Sequence, residues 1–196
     1  MKLFYNPPSP YARKVVVVIH EKNLKDRVEL CALDPWKDPP ELLGKNPIGK
    51  VPALLMDDGA VLTESTTISQ HLDRFETGPR LSDRGNVDPA DIDLMSRGAL
   101  AQGVIDAAFA AVIERRRPAQ YQWSDWPVRQ RRAIERTLPS FKARSGRFDL
   151  GDITLACALG YLDFRLPEIP WRNVNPHLAG WFDEISQRPS MRATKP

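Results

Sequence analysis

Ser9 and Pro10 stand where KLFYNPPSPYARKVVVVI turns from an extended stretch into a helix. Proline suits a first helical position, because the N–H it lacks would have no partner there. A helix start gathers the positive end of the backbone dipole and exposed N–H groups, so it favours an anion. A hydroxyl aimed into that place can donate a hydrogen bond to an anion such as a thiolate. A free thiol has a pKa of about 8.5, and lowering it by roughly two units corresponds to about 2.7 kcal/mol. One charge-assisted hydrogen bond plus a helix terminus can supply that much. No histidine or acid lies near Ser9 in sequence to make it a protease-like nucleophile. Tyr5 and Tyr11 are the competing hydroxyls of this segment, and packing is the better use for both.

A second group of polar residues lies within NPIGKVPALLMDDGAVLTESTTISQHLD, residues 46–73. Ala53–Met56 and Ala60–Thr63 read as short strands joined by an Asp-Gly turn, a hairpin. Pro52 opens the first of them, where a missing donor is tolerated. Ser65 reads as the cap of a following amphipathic helix, with N–H groups behind it that would attract a carboxylate. Together these residues suggest a pocket in which Val51 offers main chain while Glu64 and Ser65 offer polar contacts. Asn46 reads as the residue that fixes the turn before Pro47.

The elements that must position these groups change character along the chain. Lys2–Tyr5 reads as a strand, Pro10–Lys22 as a helix and Arg27–Ala32 as a strand. A short helix or turn at Pro40–Gly44, the hairpin, and a helix from Ser65 to about Glu76 follow. That order makes a mixed sheet, with the first two strands parallel across a helical crossover and the last pair antiparallel. Residues 78–88 are turn-forming and charged, and read as a linker between a domain at 1–77 and one at 89–196. The second domain reads as all-helical. Its first helix, Pro89–Arg117, carries Ile92, Met95, Leu100, Val104, Ile105, Ala108 and Ile113 as its apolar set. A second helix begins after Pro127, with Pro139 as a break. A third opens near Asp149, where Asp149 caps and Asp152 adds charge to the first turn. A fourth lies between Pro176 and Gln187.

Composition narrows the classes of function. The 196 residues are 42% hydrophobic and 27% charged, the balance of a globular protein. A net charge of +3, with no aromatic-interleaved basic stripe, gives no reason to expect nucleic acid. Arg115–Arg117 and the basic residues of 129–136 read as solvated helix faces. The longest aliphatic run, Val15–Ile19, is far too short to span a membrane, and no membrane partner is expected. The N-terminus lacks the apolar segment of a secretory signal. Two distant cysteines, Cys31 and Cys157, suggest buried free thiols in a reducing cytoplasm. His20, His71 and His177 are scattered, so no metal is expected.

NPIGKVPALLMDDG followed by LTESTTISQHLD resembles the glutathione-binding half of the cytosolic glutathione transferases, of the serine-type bacterial kind, and the likeness extends over nearly the whole chain. It implies a thioredoxin-like α/β N-terminal domain followed by an all-α helical-bundle domain. It implies that the Val51-Pro52 peptide is cis and that the Val51 backbone pairs with the cysteinyl part of glutathione like an added strand. Glu64 and Ser65 would receive the γ-glutamyl end. Ser9 would steady the glutathione thiolate, with Tyr5 next in line because tyrosine-type relatives place their phenol near it. Lys50 would meet the glycyl carboxylate, Trp36 and Lys37 being weaker candidates. Asp149 and Asp152 resemble the family's buried capping motif, a folding device.

The resemblance further implies a homodimer, and a small electrophilic molecule as second substrate, met by Ala101, Gly103 and Ala107–Phe109 or roofed by Trp123 and Trp126. The activity implied is conjugation of glutathione, with isomerisation, dehalogenation or peroxide reduction on the same thiolate as alternatives. A non-catalytic interaction module of the same fold is the remaining one. SPYARKV also resembles the Cys-Pro-Tyr signature of glutaredoxins, but serine at position 9 cannot form the mixed disulfide that thiol reduction needs.

Overall fold

The computed structural model describes residues 1–82, 89–144 and 146–196, and the chain divides into two compact units, Met1–Asn86 and Val87–Lys195. The expected linker falls partly on residues 83–88, which lie outside the described residues.

The first unit runs β1 (Lys2–Tyr5), α1 (Pro10–Glu21), β2 (Glu29–Ala32), α2 (Pro40–Leu43), β3 (Ala53–Leu55), β4 (Val61–Thr63) and α3 (Ser65–Asp73). The sheet order is β2-β1-β3-β4, with β1 and β2 parallel and the other two pairs antiparallel. This is the thioredoxin-like arrangement. The register places Phe4 opposite Ala53 and Ala53 opposite Thr63. The chain leaving β1, the chain entering β3 and the chain leaving β4 therefore meet at one end of the sheet. Nearly all of α1 is buried, Arg13 and Lys14 included.

Residues 78–82 are held to this unit by a buried pair. Asp73, fully buried, accepts from the N–H groups of Leu81 and Ser82 at 2.8 and 3.1 Å, and Lys22 lies 3.4 Å from it while donating to the Pro79 carbonyl. Gly78 has φ +68°, and a Cβ there would come within 2.5 Å of the Glu21 carbonyl oxygen, so only glycine lets the chain cross so close to α1.

The second unit is helical: α4 (Pro89–Arg116), α5 (Asp125–Thr137), α6 (Leu150–Arg165), α7 (Trp171–Val174), α8 (Pro176–Ile185) and α9 (Pro189–Ala193). α5 starts before Pro127 rather than after it, because proline is as well tolerated in the first turn as ahead of it. Pro139 sits in a 3₁₀ turn, Leu138–Ser140, that ends the helix. The packing of α4 along α6 depends on Gly151, whose absent Cβ would meet the Arg97 guanidinium at 2.5 Å and the Leu94 carbonyl oxygen at 3.0 Å.

The apolar set of α4 divides between core and surface. Val104, Ile105 and Ala108 are buried, whereas Ile92, Met95 and Leu100 are exposed. Within it, Ile92–Arg116 is long and apolar enough, by length and composition alone, to cross a bilayer, contrary to the expectation that no stretch approaches that length. Its buried face packs on α5 and α6, which is how a core helix of a globular unit passes the same test.

Candidate functional site

The end of the sheet where three chain segments meet carries the residues singled out from sequence. Ser9 caps α1 with extended backbone, φ −79° and ψ 122°, and its Oγ accepts the Ala12 N–H at 3.3 Å. In that bond the hydroxyl is the acceptor, so its own hydrogen remains to be donated. Pro10 has no N–H and that of Ala12 is taken by Ser9, so the hydroxyl hydrogen is one directional donor that this helix end can offer. Tyr5 ends β1 and is half-buried, its carbonyl accepting the Leu33 N–H at 2.9 Å. Tyr11 is half-buried in the first turn of α1.

The Val51-Pro52 peptide is cis. Among the described residues, the N–H and C=O of Val51 make no backbone hydrogen bond. Its side chain packs on a small core of Phe4, Leu42 and Ala53. Buried Asn46 fixes the loop that leads to it. Its Nδ2 donates to the Lys50 carbonyl at 2.8 Å and its Oδ1 accepts the Ile48 N–H at 3.3 Å. Lys50, Trp36 and Lys37 have exposed side chains. The parallel register of Tyr5 with Ala32 carries Trp36 and Lys37 out at the same sheet end as Ser9.

Glu64, not Ser65, caps α3. Its carboxylate accepts the Thr66 N–H at 2.7 Å, the Thr67 N–H at 3.4 Å and the Ser65 hydroxyl at 3.0 Å. The longer side chain loops back over two orphan donors, and Ser65 becomes the first helical residue, buried at 2% exposure. The carboxylate attracted to this helix end is therefore the protein's own. Glu64 has φ 72° and ψ 131°, a backbone conformation that costs a side-chain-bearing residue about 1–3 kcal/mol and that tends to persist where function requires it. Burial pushes the Glu64 carboxyl up, but the Thr66 N–H, the Ser65 hydroxyl and the Lys14 ammonium together hold it below the ordinary carboxylate range.

Lys14 escaped the sequence reading altogether. It is buried at 2% exposure and its Nζ donates to Thr66 Oγ1 at 3.0 Å. The one available signal was a lysine leading directly into five aliphatic residues, where a solvated charge has little room.

The residues expected to wall a second substrate do not share a face. Ala101 and Ala108 are buried and Gly103 is exposed, because two residues along a helix turn the side chain by about 200°. Small size at the two alanines serves helix packing. Trp123 is exposed and stacked on Trp126 at 5.6 Å between rings, and its N–H is held by the buried Glu114 carboxylate at 2.8 Å. Cys157 is fully buried, as expected, whereas Cys31 is only half-buried. No group of His, Cys, Asp and Glu that could hold a metal occurs among the described residues.

Comparison with known proteins agrees with this geometry. Residues 8–74 match the N-terminal domain and residues 99–184 the C-terminal domain of glutathione S-transferases. A glutathione transferase family member from Pseudomonas fluorescens Pf-5, solved with bound glutathione, is 42% identical with a TM-score of 0.92, covering 100% of this chain and 98% of that one. A structure of a family member from the same organism holds S-(propanoic acid)-glutathione, at 42% identity and a TM-score of 0.89, covering 100% of this chain and 99% of that one. YibF of Escherichia coli K12, described as an uncharacterized GST-like protein, is 30% identical over 100% of this chain and 98% of its own length. The chain belongs to the glutathione transferase family.

Proposed function

We propose that the protein binds glutathione at this end of the sheet and activates its thiol as a thiolate for attack on a small electrophile. The observation that carries the reading is the register Phe4–Ala53–Thr63, which brings the Ser9 loop, the cis Val51-Pro52 edge and the Glu64–Ser65 turn out together. The unpaired Val51 backbone offers the edge for the cysteinyl part, Glu64 and Ser65 the polar end for the γ-glutamyl group, and Lys50 a cation for the glycyl carboxylate. Ser9 donates to the sulfur, and Tyr5 is the reserve hydroxyl. Glutathione in the Pseudomonas relative supports the ligand, and S-(propanoic acid)-glutathione, a thioether of the kind that conjugation yields, favours transfer over the other reactions of a thiolate. Two free cysteines suit a reducing cytoplasm.

Calorimetric titration with glutathione tests the reading. Saturable heat at or below millimolar ligand is the expected result; its absence would shift the protein to the non-catalytic module. Glu64→Ala is expected to weaken binding about 10-fold, the size of a lost charge-assisted hydrogen bond. Rate measurements with a panel of electrophiles then separate conjugation from isomerisation, dehalogenation and peroxide reduction.

The exposed apolar side of α4, with Met95 at 63% exposure between Ile92 and Leu100, is the surface we assign to a homodimer. Sedimentation velocity should give a dimer for the native chain and a monomer for the double variant Met95→Asp, Leu100→Asp. A native monomer would remove the dimer from the reading.

A further inference from the structure

The geometry points to Lys14 as a positioning residue of the glutathione site, a buried cation that holds the Glu64–Thr66 turn in the shape that takes the γ-glutamyl end. The inference rests on the functional reading above. Lysine is almost never fully buried unless paired, and an apolar side chain of similar length would fill the same space. Packing therefore does not explain a lysine at this position; its contacts do. Its Nζ reaches from α1 to Thr66 Oγ1 at 3.0 Å, and the N–H of that same threonine is bonded to Glu64 Oε1 at 2.7 Å. Thr66 is thus the link between the buried cation and the strained carboxylate. Glu64 sits at φ 72° with its side chain looped over the start of α3, and the Lys14–Thr66 bond pins the partner it loops onto.

The ammonium also acts through its field, being among the influences that keep the Glu64 carboxyl ionised. One rigid helix consequently serves both ends of the ligand. Ser9 at its cap faces the sulfur, and Lys14, five residues on, stands behind the γ-glutamyl turn.

Lys14→Met in the full chain separates this role from general packing. Titration is done with glutathione and with cysteinylglycine, which lacks the γ-glutamyl group. The expected result is an approximately 10-fold rise in Kd for glutathione with no change for cysteinylglycine, together with displaced Thr66 and Thr67 amide resonances in the ligand-free protein. Lys14→Arg, which keeps the charge, should restore most of the affinity. Unchanged glutathione affinity in Lys14→Met overturns the inference, as does an equal loss for both ligands. If Lys14→Met does not fold, Thr66→Val removes the acceptor without disturbing the core, and a retained preference for glutathione there overturns it too. Failure of the native chain to bind glutathione would overturn the functional reading itself, a different outcome from native binding that Lys14→Met leaves intact.

Discussion

Asp149→Ala is expected to destabilise the helical unit by about 3–5 kcal/mol, the usual cost of stranding one member of a buried charged network. Asp149 caps α6 by accepting the Asp152 N–H at 2.9 Å, and Asp152 returns a bond to the Asp149 N–H at 3.3 Å. Arg97 of α4 clamps both carboxylates, at 2.9 and 3.0 Å to Asp149 and 2.7 Å to Asp152. Removing Asp149 leaves the cap empty and half the clamp unanswered. Urea unfolding followed by tryptophan fluorescence reads the loss, since four of the five tryptophans (Trp123, Trp126, Trp171 and Trp181) lie in this unit. Asp149→Asn keeps an acceptor without the charge and should lose distinctly less. A loss below about 1 kcal/mol for Asp149→Ala would show that the network is ornamental.

The network also carries a pH signature. Burial, then the neighbouring Asp149 charge, pushes Asp152 up to about 6 against the pull of Arg97. Because its folded value is raised, Asp152 contributes stability that is complete below about pH 4 and is lost as pH rises through about 6. Asp149 runs the other way. Burial would raise it, but Arg97 and the Asp152 amide hold it low, so its contribution is present at neutral pH and lost on acidification. In Asp149→Ala the lesser of the two influences that raise Asp152 is gone while burial remains, and the decline in stability between pH 4 and 6 should become shallower.

Local chemistry was the legible part of the sequence. The strand and helix order, the Asp149–Asp152 cap and the Asn46 turn each depend on residues within four positions of one another, and the structure has them where spacing alone would put them. Arg97 was invisible because its partners lie 52 and 55 residues away, and nothing local marks it as a clamp rather than a solvated helix residue. Glu64 was displaced by Ser65 as cap because serine is the commoner capping residue, and the competition was decided by a backbone angle that no pattern of residue types announces. How the apolar set of α4 divides was illegible for a related reason. Periodicity says which residues are greasy, not which of two neighbours they face. Ile92, Met95 and Leu100 are as apolar as Val104 and Ile105, yet they are exposed.

Ser9→Ala should raise the pKa of bound glutathione by up to about two units while binding is retained, weakened at pH 7 by no more than about 4-fold as the preference for the thiolate is lost. The structure sharpens this expectation, since Ser9 already accepts from Ala12 and its uncommitted hydrogen is what the sulfur would use. At pH 7 a thiol moving from about 6.5 to about 8.5 falls from roughly three-quarters to roughly 3% thiolate, about a 25-fold loss of nucleophile. The rate falls less than that. A more basic thiolate is the better nucleophile, and with a Brønsted slope of about 0.4–0.5 two units return roughly 6- to 10-fold. Turnover at neutral pH is thus a blunt readout, with an expected drop of only about 2.5- to 4-fold from ionisation alone. The sharp one is the pH profile: thiolate absorbance of the bound tripeptide should titrate two units higher in Ser9→Ala, and the variant should gain on the native enzyme as pH rises toward 9. If the titration stays put, the donor is another hydroxyl, and the same measurement on Tyr5→Phe identifies it.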